Sequence, residues 1–157
     1  VEAFDVKIVF TSRIVNRQHP AANQMTQSVL PGRVTEGAGS LYLTFSDYIE
    51  EAGEADYTIK IKEDEAMVRR KGALPMRQRL FIGQPMPGTY EAPYGTIVSE
   101  ATALKIEAFW DRSRRFGEAR LVYEMVLGGQ YVGQCRLDFR FTGDTRAVSE
   151  EKVSAVN

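Results

Sequence analysis

The sequence has one cysteine, one histidine and one tryptophan. A lone Cys135 excludes an intrachain disulfide and suits a reducing, cytoplasmic setting. Cys135 and His19 are together too few for a structural zinc site. No Asp-x-Asp-x-Asp-Gly loop offers a calcium cage, so neither metal nor cofactor is expected. Net charge is also nearly absent: 20 basic residues against 21 acidic give −1. Nucleic-acid binders are usually clearly basic, so any such role needs a local patch. No apolar run approaches the roughly 20 residues of a membrane-spanning helix. No signal-peptide pattern is seen, and no membrane role is expected. Glycine-rich phosphate loops, a Gly-x-Ser-x-Gly elbow and His-Glu-x-x-His are all missing. His19 stands beside Pro20 with no readable nucleophile or orienting group, so the balance leans against an enzyme, and a cofactor-free enzyme built on paired carboxylates is the least favoured reading.

What is present is alternation. Val6, Ile8 and Phe10 alternate with Lys7, Val9 and Thr11, and Leu41, Leu43 and Phe45 with Tyr42, Thr44 and Ser46. The same period of two runs through Tyr57–Ile61, Leu121–Leu127 and Cys135–Phe141. One apolar face per strand is the signature of antiparallel sheet. Turn residues punctuate the runs at Gly37–Gly39, Glu63–Asp64, Gly72–Pro75, Pro85–Gly88, Pro93–Gly95 and Gly128–Gly129. The connections are too short for crossover helices, so sequence neighbours pair. The expectation is all-β: an antiparallel up-and-down meander closed into a barrel of about 8–10 strands, closure being what hides the edges. Residues 1–142 read as this single domain, with an irregular loop at 16–28. Residues 143–157 read as a polar C-terminal tail or short helix.

Parity then assigns faces. A three-residue loop, Gly128-Gly129-Gln130, pairs Tyr123 with Cys135, Leu121 with Leu137 and Ala119 with Phe139. The other face then pairs Arg120 with Asp138 and Glu118 with Arg140. A turn at Glu63-Asp64 pairs Ile61 with Ala66, Ile59 with Val68 and Tyr57 with Arg70. Matching apolar faces across Gly72–Pro75 pairs Val68 with Leu80 and Arg70 with Gln78. The outer face gathers Arg69 with Arg79 and Lys71 with Arg77.

Arg70 is thereby turned toward the apolar interior, where a lone guanidinium is costly without an acceptor. It is either one half of an ion pair with Glu36 or Glu100, or a ligand for an anion. Arg69, Lys71, Arg77 and Arg79 place like charges opposite one another. That is either a solvated face offset by nearby carboxylates or a surface for RNA or an acidic protein. Tyr90 and Tyr94 flank Pro93 and either line a barrel mouth or pack a turn. Trp110 and Cys135 read as core.

Thr35-Glu36-Gly37, Leu41 to Asp47, Val68-Arg69-Arg70-Lys71-Gly72, Tyr90-Glu91-Ala92-Pro93-Tyr94-Gly95 and Thr102, followed by the closing alternation to Phe141, form a recognisable set. On these the chain resembles the bacterial YwiB-like family, over roughly Phe4 to Phe141. The resemblance implies a cytoplasmic calycin-like (lipocalin-like) β-barrel of unknown function, and it supplies no reaction. Phe45 and Asp47 depart from the family's Tyr and Glu.

The leading expectation is a non-enzymatic binder of a small apolar molecule carrying an anionic group inside the barrel. Arg70 would hold the anion, with Gln78, Tyr57, Glu36, Tyr90 and Tyr94 around it. The alternative is an interaction module using Arg69, Lys71, Arg77 and Arg79. Nothing in the pattern decides between a monomer and a homodimer.

Overall fold

A computed structural model describes residues 2–143. The polar tail or short helix expected at 143–157 lies almost wholly outside these residues. Ten antiparallel strands follow one another: β1 (Glu2–Val15), β2 (Gln24–Gly37), β3 (Ser40–Ile49), β4 (Gly53–Ile61) and β5 (Glu65–Gly72), then β6 (Met76–Phe81), β7 (Pro85–Ala92), β8 (Gly95–Asp111), β9 (Phe116–Leu127) and β10 (Gln130–Thr142). Each pairs with its sequence neighbours, and β1 closes on β10 to complete the barrel. The only helical element among the described residues is a 3-10 turn at Pro20–Ala22. No helix there is long and apolar enough to cross a membrane.

The inward residues are those that parity selected. Ile8, Val34, Leu43, Ile59, Leu80, Leu121, Phe139 and Phe141 are wholly or almost wholly buried. Each such side chain contributes on the order of 1.5–3 kcal/mol of transfer free energy. A bulge between Ala103 and Lys105 resets the phase of β8. Ala101 and Ala103 face inward before it, and Ile106 and Trp110 after it, which buries Trp110 while Phe109 is exposed.

Three sequence-based expectations need correction. The irregular stretch is 16–23, not 16–28, because Gln24–Ser28 already belong to β2. They pair with β1 alone, while β2 meets β3 only from Gly32. Both faces of this ribbon are therefore largely wet, and no alternation marks it.

The last hairpin has a two-residue Gly128-Gly129 turn, with Leu127 opposite Gln130. Both glycines have positive φ (57° and 82°), as a tight hairpin turn of this kind requires. A bulge between Tyr131 and Gly133 then restores the expected pairs, Tyr123 with Cys135 and Leu121 with Leu137.

The β5–β6 hairpin is tighter by two residues than expected. Val68 faces Gln78 and Arg70 faces Met76. A shift of two conserves every face, so parity gave no warning.

Pairing between β6 and β7 covers only Met76–Tyr90, Arg77–Thr89 and Gln78–Gly88. Pro85 and Pro87 carry no N–H to extend it. The Gln78 side chain fills the gap. Its Nε2 donates to the carbonyls of Arg79 (2.7 Å), Met86 (3.0 Å) and Pro87 (3.4 Å), and its Oε1 accepts from Ser99 Oγ at 2.6 Å. Gly88 makes the room: a β-carbon there would crowd Gln78 Oε1 and stand 2.6 Å from Ser99 Oγ.

Candidate functional site

Alternating hairpins put the 16–23, 50–52, 73–75, 93–94 and 128–129 connections at one end of the barrel. Inside this end runs a set of rings. Phe10 stacks on Phe139 (centroids 4.8 Å, 5° between planes) and Phe45 on Tyr57 (4.8 Å, 11°). Phe10 touches both Phe45 and Tyr57 at 5.4 and 5.8 Å. The lumen is filled here by aromatic side chains.

Arg70 caps the set. Its Cζ lies 5.7 Å from the Tyr57 ring centroid, a cation–π contact. Nη1 donates to Tyr57 Oη at 3.3 Å, and Nε donates to the Leu74 carbonyl at 2.6 Å. The residue is half-buried at the rim rather than deep in the lumen. No carboxylate lies within ion-pair distance among the described residues. Burial raises the Tyr90 phenol well above its ordinary range, the Cys135 thiol adds to this, and the nearby charge of Arg70 works against it. Tyr123, fully buried, is pushed up in the same way and hydrogen-bonds Cys135. Burial lifts the Cys135 thiol to about 12, although its bond to Tyr123 opposes this.

The structure thus brings Arg70, Tyr57 and Tyr90 together. Gln78 is not part of the group: it is fully buried, and both of its amide atoms are engaged between β6 and β7. Glu36 lies at the opposite end, where β2 meets Leu41, and is exposed. Glu100 faces outward because its neighbour Ser99 takes the inner position. Neither carboxylate reaches Arg70. Tyr94 is 84% exposed on the β7–β8 turn and lines no lumen. Two neighbours were not singled out from the sequence: Tyr123, legible in its register with Cys135, and the Leu74 carbonyl, which no side-chain pattern reveals.

The 16–23 connection is tied down at this end. Buried Asn16 donates from Nδ2 to the Val132 carbonyl at 3.2 Å. Its Oδ1 accepts from the backbone N–H groups of Gln18 and His19, and Asn23 Oδ1 accepts from Asn16 N at 2.7 Å. Gly133 allows the approach: a β-carbon there would stand 2.6 Å from the Val15 carbonyl oxygen.

On the outer wall Arg69, Lys71, Arg77 and Arg79 are all exposed. Arg69 stands directly opposite Arg77, while Arg79 faces Met67 and Lys71 faces Asp56. The expected pairs Arg69–Arg79 and Lys71–Arg77 fail with the two-residue shift described above. Four surface clefts stand out, and Arg70 lines none of them. Beneath it stand the stacked rings described above. Among the described residues no group of three or more His, Cys, Asp or Glu side chains could hold a metal ion.

Residues 10–139 match the family described as "Domain of unknown function (DUF1934)". The chain belongs to this family. A similar protein is the "Uncharacterized beta-barrel protein YwiB" of Bacillus subtilis (strain 168), 25% identical over 105 residues, which is 66% of this chain and 72% of that one. The crystal structure of the ywiB protein from Bacillus subtilis superposes with a TM-score of 0.75 at 19% identity, covering 90% of this chain and 93% of the other. The family is thus one of β-barrel proteins without an assigned reaction, and the barrel is shared along almost its whole length.

Proposed function

We propose that this protein is a non-enzymatic binder of a small, partly apolar molecule with an anionic group, which it holds at the barrel rim through Arg70. One observation carries the reading: a half-buried guanidinium rests on an aromatic face with no carboxylate among the described residues within ion-pair distance. Two of its five N–H donors are engaged, one by a carbonyl and one by a phenol. The others fit a carboxylate or phosphate, which a guanidinium grips with charge-assisted bonds. The Tyr57 and Tyr90 phenols add neutral donors beside it. Because rings stand in the lumen beneath Arg70, the apolar part of the ligand lies across the mouth rather than down the axis, unlike a lipocalin-type carrier. The unpaired Cys135 fits a reducing cytoplasmic setting.

Calorimetric titration with octanoate, octyl phosphate and neutral octanol tests this. Both anions should bind at least tenfold more tightly than octanol, and Arg70→Met should abolish the preference. Equal affinity for octanoate and octanol, or an Arg70→Met variant that binds octanoate unchanged, refutes the proposal.

A further inference from the structure

On the barrel wall away from β5 and β6, three outward arginines meet a carboxylate across a strand boundary, while Arg13 of β1 faces Arg136 of β10. Arg120 meets Asp138 at 2.5 Å, Arg140 meets Glu118 at 3.5 Å and Arg33 meets Asp5 at 3.4 Å. The wall formed by β5 and β6 carries a larger group of cations outside such ion pairs. Arg69 faces Arg77, and the outward row through them reads Thr44, Thr58, Arg69, Arg77, Thr89, Val98 across six strands, with no carboxylate in it. None of Arg69, Lys71, Arg77 or Arg79 is within ion-pair distance of a carboxylate among the described residues. Two nearby acids are otherwise engaged: Asp56 accepts from Ser46 Oγ at 2.5 Å, and Glu65 sits 3.8 Å from Lys62. Lys60, over the Tyr42 ring, extends the cationic strip onto β4. In a chain of net charge −1 this is a local concentration of positive charge.

From this arrangement we infer that the outer wall of β5 and β6 binds a single-stranded polynucleotide. Like charges set directly opposite each other destabilise a sheet and are offset when an anion spans them. Three of the four cations are arginines, which bind phosphate bidentately. A flexible strand can follow the curve of the wall and the cleft beside Arg79, which Lys60, Lys62 and Met67 also line. An aromatic ring for base stacking stands nearby. Tyr94 is exposed on the β7–β8 turn, and that turn is held against the β5–β6 turn by the Glu91 N–H donating to the Pro75 carbonyl at 2.8 Å. An acidic peptide would use the cations but has no base to stack on Tyr94. The surface lies on the opposite side of the wall from Arg70, so it stands or falls independently of the rim site.

Fluorescence anisotropy with labelled rU20 and dT20, and competition by polyglutamate, tests the inference on the full chain. With four phosphate contacts, affinity should fall about 50-fold between 50 and 200 mM salt, and about 7-fold in an R69Q/R77Q variant that keeps two. The variant should melt no lower than wild type, since it loses only a repulsive pair. R120Q/R140Q, with the same net charge change on another wall, should bind within twofold of wild type. Y94A should weaken both oligonucleotides. Tighter binding of rU20 than dT20 identifies RNA as the source, and equal binding identifies a sugar-blind site. No binding of either at 50 mM salt overturns the inference. So does equal weakening by R120Q/R140Q, or polyglutamate binding as tightly as rU20 with Y94A silent.

Discussion

Replacing Gln78 with methionine tests the account of the β6–β7 seam. Methionine keeps the length and bulk of the side chain and removes its amide. Three carbonyls, those of Arg79, Met86 and Pro87, then lose their donor, and the Ser99 hydroxyl loses its acceptor. Ser99 is 2% exposed and Gln78 0%, so water does not readily replace the lost bonds. A buried polar group left without a partner costs about 1–3 kcal/mol. The three carbonyls share one NH2 group, and the hydroxyl can turn to seek another acceptor. The total is therefore about 3 kcal/mol rather than the sum of four penalties. For a domain of this size that corresponds to a fall in Tm of about 6–12 °C. The pair Gln78–Ser99 supplies an internal control. Ser99→Ala alone orphans Oε1 and should cost about 1 kcal/mol, but in the Gln78→Met background it removes a group already orphaned and should cost almost nothing. Urea unfolding of the two single variants and the double variant measures this. A Gln78→Met protein that melts within 2 °C of wild type, or an additive cycle, would refute the reasoning.

Two further expectations follow from groups at the same end of the barrel. Gly133→Ala forces a side chain into φ 137° and against the Val15 carbonyl. It should loosen the 16–23 connection, with trypsin cleaving after Arg17 at least several-fold faster, as followed by mass spectrometry; an unchanged rate would show that this contact is dispensable. Cys135 titrates at about 12 in the folded protein, against roughly 8.5 unfolded. An acid whose folded pKa is raised contributes stability that is complete below the unfolded pKa and is lost as pH climbs toward the folded one. Tyr90 and Tyr123 shift in the same direction. Urea midpoints should be flat from pH 6 to about 8.5 and fall steadily toward pH 11, and a thiol-specific disulfide reagent at pH 8 should react only as fast as the protein opens. A midpoint that rises with pH would contradict the burial argument.

Much of the barrel was legible because its signal is local. Alternation marks a buried face residue by residue, and the inward set from Val6 to Phe141 followed from it. Trp110 and Cys135 were placed in the core correctly. Register was less legible, because slipping a hairpin by two residues changes partners without changing faces. Apolar matching favoured Val68 against Leu80, and the structure sets Val68 against Gln78, whose amide is satisfied by carbonyls that no sequence pattern displays. The glycine hairpin shows the opposite case: the distant pairs were right for the wrong loop, since a bulge beyond Tyr131 supplies the residue assigned to the turn. At the rim, the face of Arg70 and its pairing with Tyr57 could be read. Its distance from Glu36 could not, because which end of a barrel a residue occupies depends on counting along several strands at once.

The pairing of β1 with β10 has a bearing on how the molecule is made. Every other neighbour of a strand is supplied by an adjacent hairpin, but the partner of Val9 is Arg140 and that of Phe10 is Phe139, on the last strand of the barrel. During synthesis β1 must keep one flank unsatisfied until β10 has left the ribosome. The seam that seals the cylinder is thus the last to form, and a nascent chain halted before β10 would present an open flank for other extended chains to join.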